Sequence, residues 1–117
     1  MNKHPRVFLA HIMESIGLIE EYSEGKTIQD FIRSKSLQDM IIRRMEIIGE
    51  AVKYLPDDIK DSHSEVPWKK IAGMRDILIH QYFGVDIEAT WDVVEKDIPE
   101  LKAKILKIQE ELYGDIK

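Results

Sequence analysis

Residues 75–82 read RDILIHQY, an arginine, a histidine and a tyrosine set into a run that otherwise has the look of helix interior. Upstream, Ile71 and Met74 join Leu78 at spacings of three and four, which predicts one buried helical stripe. Positions five apart on an α-helix are turned about 140° from one another. Arg75 and His80 therefore flank a shared edge rather than stack, and both reach a groove beside the helix. Asp76 stands one turn before His80, at the spacing where side chains meet. Tyr82 returns to the arginine's side two turns on. A permanent cation, a group that titrates near neutrality and a phenol thus border one surface.

That set suits phosphodiester chemistry. The guanidinium is a planar fork that matches phosphate oxygens and keeps its charge. An imidazole takes a proton from a hydroxyl and returns one to a leaving oxygen near neutral pH. A helix-end histidine is also a common capping residue, and an arginine a common ion-pair partner, so the spacing alone leaves both readings open.

Length and composition set the frame. A chain of 117 residues with 44% apolar and 33% charged residues is expected to form a single domain, residues 1–117, around one core. Cysteine is absent, which excludes disulfides and thiolate metal sites. His11 and Glu14 interrupt the N-terminal apolar residues, so no secretory core is read there. No apolar run approaches the ~20 residues that span a bilayer. The expected location is cytoplasmic, without a membrane partner. The net charge of −5 argues against a general nucleic-acid coat. It is uneven: −2 over residues 1–32, +2 over 33–75 and −5 over 76–117. Any RNA contact would rest on a few cations such as Arg43, Arg44, Lys69, Lys70 and Arg75.

Pro5 is read as the entry to a first helix with core residues Leu9, Ile12, Ile16 and Ile19, ended by Gly25. His4 and His11 are expected to face solvent or to be structural, since no acidic or sulfur partner completes a metal set. Thr27-x-x-Asp30 predicts a capping box, with Phe31 and Ile32 as the apolar residues behind it. Ser36-x-x-Asp39 predicts a second start, unless one helix runs through Ser34–Ser36. Leu37, Ile41, Met45, Ile48, Val52 and Leu55 then form a stripe that Met40, Ile47 and Ala51 widen, so this helix is expected to bury two sides, one of them against a partner subunit. Gly49 and Gly73 are read as positions where another element comes close. Glu50 is either a surface charge or an orienting partner for an active-site cation.

Pro56-Asp57-Asp58 stops that helix. Residues 57–66 are expected to be irregular, with at most one helical turn near Ile59, and His63 receives no role. Pro67-Trp68 opens the motif helix and Gly84 ends it. Asp86 caps a last helical region whose stripe is Trp91, Val94, Ile98, Leu101, Ile105, Ile108 and Leu112; Pro99 should kink or restart it. No strand pattern appears. The fold expected is an all-α antiparallel bundle of four main helices, with an extra short one allowed.

RDILIHQY also matches the R-x-x-x-x-H-x-Y signature of the HEPN superfamily, in its branch of HepT-like ribonuclease toxins. Arg44 to Ala51 resembles that branch's R-x-x-x-I-G-E-A helix. Val66-Pro67-Trp68, Ile71 and Gly73-Met74-Arg75 resemble its I-P-W-x-x-I-x-G-M-R entry, and Trp91 with Ile98-Pro99-Glu100-Leu101 its closing segment. The resemblance implies the same bundle, paired as a homodimer whose two motif helices build a composite cleft. It implies a toxin that is a metal-independent endoribonuclease, needs no cofactor, and cuts RNA such as tRNA or mRNA rather than DNA. Arg75 and His80 would be catalytic, with Asp76 and Glu50 supporting them. A minimal nucleotidyltransferase antitoxin would silence the site by transferring AMP from ATP to Tyr82. The alternative is a non-catalytic helical adaptor that binds the nucleotidyltransferase and a nucleotide.

Overall fold

The computed structural model describes residues 4–80 and 86–114, the side chains of 75–80 excepted. Every element among those residues is helical: α1 (Pro5–Ser23), α2 (Ile28–Arg33), α3 (Lys35–Tyr54), α4 (Asp57–Ser62), α5 (Trp68–His80), α6 (Ile87–Asp92), a π-helical segment (Val93–Asp97) and α7 (Ile98–Tyr113). Four of these are long and three have six residues, where the sequence reading allowed for one short helix. Among the described residues no helix is long and apolar enough to cross a membrane.

Local chemistry explains most boundaries. Pro5 stands in the first turn of α1, and His4 caps it, its Nδ1 accepting the Arg6 N–H at 3.1 Å. Gly25, at φ +72°, makes the left-handed turn that ends α1. Thr27 and Asp30 form the expected capping box. The next start lies two residues earlier than expected. Ser34, in extended backbone, ends α2 and caps α3, its hydroxyl accepting the Leu37 N–H at 3.1 Å. Ser36 already belongs to α3. Gln38 is buried and braces the break, donating to the carbonyls of Phe31 and Ile32.

The stretch after Pro56 is more ordered than expected. Asp57 and Asp58 occupy the first turn of α4, where their charge favours the helix N-terminus. The restart at Pro99 goes through the π-helical segment. The Ile98 N–H reaches back five residues to the Val93 carbonyl, and Pro99 then falls in the first turn of α7, where a missing N–H is tolerated.

The buried side chains form one hydrophobic cluster. Leu9, Ile12, Ile16 and Ile19 from α1 meet the α3 stripe and Trp91, Val94, Ile98, Leu101, Ile105 and Ile108, as expected. Leu112 is an exception and stays exposed. At that end of α7 it is Tyr113 that meets α1, with its ring 5.6 Å from His4 and beneath the Arg6 guanidinium. Phe31 of α2 packs on Trp91 at 5.0 Å, which docks α2 on α6. Stacking of Phe8 on Tyr54 sets the start of α1 beside the end of α3, so these helices are antiparallel. The Lys102–Glu20 ion pair and the His4–Tyr113 contact do the same for α1 and α7. Helix α3 is the spine, in contact with α1 on one flank and α5 on the other.

Two glycines test the backbone account. Gly25→Ala should lower stability by about 1 kcal/mol, because only its left-handed turn strains a side chain. Gly17, inside α1 with open space around it, should gain up to about 1 kcal/mol on change to Ala. Urea unfolding of the two variants reads the opposite signs.

Candidate active site on helix α5

Helix α5 is fixed at its first residue. Trp68 is buried, and its indole N–H is shared between the carbonyls of Lys60, 3.1 Å away, and His63, 3.0 Å away. Pro67 supplies the first helix carbonyl, accepting the Ile71 N–H at 3.1 Å. Lys60 turns back to cap α3, its ammonium 3.2 Å from the Val52 carbonyl. His63 is buried as well, a correction to the reading that gave it no role. Its ring bridges the Ile59 carbonyl and the Glu111 carboxylate of α7, each at 2.9 Å. No local pattern could have found that pair, because all of α5 and α6 and most of α7 lie between the partners in the chain.

From this anchor α5 runs antiparallel along α3. Val52 and Lys53 border one cleft with Trp68 and Ala72, while Ile48 faces the same groove as Ile71, Gly73 and Met74. Ile71 and Met74 are half-buried, not the sealed stripe that their spacing predicted. Between α5 and α7 lies an open apolar groove of about 580 Å³, floored by Ile71, Met74, Val93, Ile98 and Leu101. Gly73 lines it, and a Cβ added there would meet nothing within 4 Å. Among the described residues the expected close approach at Gly73 is thus absent: its side of α5 looks into the groove. Lys70, Asp97, Glu100 and Lys104 form the rim. The Lys104 ammonium, 2.9 Å from Glu100, holds that carboxyl below its ordinary range by its hydrogen bond and then by its charge.

Arg75, Asp76 and His80 all lie on the helical backbone of α5. Five residues of helix carry His80 about 7.5 Å along the axis from Arg75 and about 140° around it. The expected borders of one edge therefore share one continuous element. Tyr82, and the expected helix end at Gly84, lie outside the described residues. Glu50 is half-buried on α3, already engaged in an interaction, and closer in register to the start of α5 than to His80. Of the cations noted in the sequence, Arg43, Lys69 and Lys70 are exposed and Arg44 is half-buried. Among the described residues no three His, Asp or Glu side chains are grouped to hold a metal ion.

The R-x-x-x-x-H motif on α5 is the feature by which this helical chain resembles the HEPN class. The Ribonuclease HepT-like family model matches residues 12–108, and the chain belongs to that family. It is 59% identical over 112 residues to the "Gamma-glutamylcyclotransferase and putative RNase" of Methanocaldococcus jannaschii, covering 96% of this chain and 50% of that protein. The chain thus spans about half the length of that relative. The "Putative RNase" of Caldanaerobacter subterraneus subsp. tengcongensis is 45% identical, with 91% of this chain and 95% of that protein covered. The "Probable ribonuclease HepT" of Thermococcus cleftensis is 46% identical, with 93% and 99% covered. No solved structure matches the chain.

Removing the indole N–H tests the anchor. Trp68→Phe should cost about 1 kcal/mol, since the Lys60 and His63 carbonyls keep the backbone N–H groups of His63 and Val66. Thermal unfolding measures the loss, and an unchanged midpoint would mean that the shared bond does not hold α5.

Proposed function

We propose that this chain is a metal-independent endoribonuclease, active as a homodimer and serving as the toxin of a toxin–antitoxin pair. The reading rests on one observation above the rest: in a member of this family, Arg75 and His80 stand on the continuous helix α5 beside an open groove. The ribonuclease names of the relatives support it.

The chemistry asks for a base and an acid. One His80 accepts the proton of a ribose 2′-hydroxyl as that oxygen attacks phosphorus. The bond from phosphorus to the 5′ oxygen breaks, and a second His80 returns a proton to the leaving oxygen. The products are a 2′,3′-cyclic phosphate and a 5′-hydroxyl. Arg75 stabilises the charge that builds on the phosphorane oxygens. Asp76 orients His80 or Arg75, and Glu50 is an orienting partner for an active-site cation. Each chain brings one such histidine, so two copies of α5 must meet. The unburied outer residues of α3 favour this pairing. Met40, Ile47 and Tyr54 recur every seven residues, and Met40 and Tyr54 are 41% and 62% exposed in the single chain.

Silencing follows from charge. A minimal nucleotidyltransferase antitoxin lets the Tyr82 hydroxyl attack the α-phosphorus of ATP, with pyrophosphate leaving. The adenylyl group then sets a phosphate and its bulk beside the RNA path.

The test is cleavage of total tRNA by the purified chain in EDTA. Wild type should cut, while His80→Ala and Arg75→Ala should each lose at least about 100-fold in rate and sediment as wild type does. Retained cleavage in either variant would remove its residue from the mechanism. A wild-type chain that binds the nucleotidyltransferase and cuts nothing would instead establish the adaptor.

A further inference from the structure

His63 is 7% exposed, and its imidazole touches two acceptors, the Ile59 carbonyl at Nδ1 and the Glu111 carboxylate at Nε2, both at 2.9 Å. Neither partner offers a proton. A neutral imidazole has one N–H and satisfies only one of them, whereas the imidazolium satisfies both. The same residue's carbonyl receives the Trp68 indole N–H and the Val66 backbone N–H. The ring that reaches α7 thus belongs to the residue that positions the first side chain of α5. A second tie crosses the same gap, from the Lys104 ammonium to the Glu65 carbonyl at 2.9 Å.

We propose that His63 is a proton-operated latch: as the imidazolium it fastens the corner between α4 and α5 to Glu111 of α7, and on losing its proton it lets go of one side and loosens the anchored end of α5. This stands on the contacts of His63 and not on the ribonuclease reading. Helix α5 carries Arg75 and His80, so His63 is a positioning residue for it and takes no part in chemistry.

The surrounding charges favour the closed state. Glu111 of α7 and Glu65 of the corner are the acids that act on the ring. The nearby cations have other engagements: Lys60 of α4 with Val52 and Asp57, Lys104 of α7 with Glu65 and Glu100. Lys107, one turn before Glu111, is exposed. The hydrogen bond to Ile59, followed by that to Glu111, raises the histidine's pKa above its ordinary value, and burial opposes them. A raised folded-state pKa fixes the sign. The latch contributes fully below the ordinary histidine value of about 6.5 and is lost as pH rises through the folded value.

Nitrogen-15 NMR of the full chain from about pH 5 to about pH 9 tests this. Both ring nitrogens of His63 should carry protons at the acid end. The ring should titrate with a midpoint above about 6.5, and the Trp68 indole N–H resonance should move with the same midpoint. Glu111→Gln removes the charge and keeps an amide that can serve a neutral ring; both midpoints should fall together by about one pH unit. A His63 ring that is neutral throughout, one that titrates at or below the ordinary value, or a Trp68 resonance that ignores the His63 transition would each overturn the latch. The wild-type titration alone can do so, even if the variant folds poorly.

Discussion

Among the described residues, helix α5 is held along α3 and at its first residue. Its side rests on α3, and its first residue is pinned where the Trp68 indole N–H meets two carbonyls of the preceding corner. Everything else about the candidate site follows from that partial grip. Apolar side chains on a helix gain from burial whatever covers them, at roughly 25 cal/mol per Å². Ile71 and Met74 stay half-buried because α7 stands off and leaves the groove. A helix gripped in this way keeps a surface for something other than its own core.

How legible this was depended on distance along the chain. Signals that act within a turn or two read correctly: Pro5 at a helix start, Gly25 after a helix end, the Thr27–Asp30 box, Asp86 as a cap, and the stripes of α1 and α3. Ser34 and Ser36 offered the same chemistry two residues apart, and only the extended backbone at Ser34 decides between them. The break at Pro99 was legible, but its π-helical form was not, since a missing N–H does not say how the preceding turn will widen. Periodicity named Ile71 and Met74 as apolar helix positions, yet it cannot say whether a neighbour covers them. His63 was illegible for the opposite reason: its partner Glu111 is brought near only by the finished fold.

The motif placed its residues on a helix. Arg75, Asp76 and His80 fall on one helix as their spacing required, while Tyr82 lies outside the described residues. Glu50 is half-buried on α3. The proposed function needs a second chain for a chemical reason, the want of a second motif histidine. On the single chain Met40 of α3 is 41% exposed, and Ile71 and Met74 of α5 border the groove half-buried.

That meeting of two α5 helices is the claim on which the proposed mechanism stands. The chain has no cysteine, so a single introduced one carries a unique spin label. Lys69 on α5 and Lys107 on α7 are both exposed and suit Lys→Cys labelling. Pulsed electron resonance on each singly labelled protein should give a narrow intermolecular distance from Lys69 that is shorter than the one from Lys107. No dipolar coupling at Lys69, or a distance there longer than at Lys107, would contradict the facing of the two motif helices.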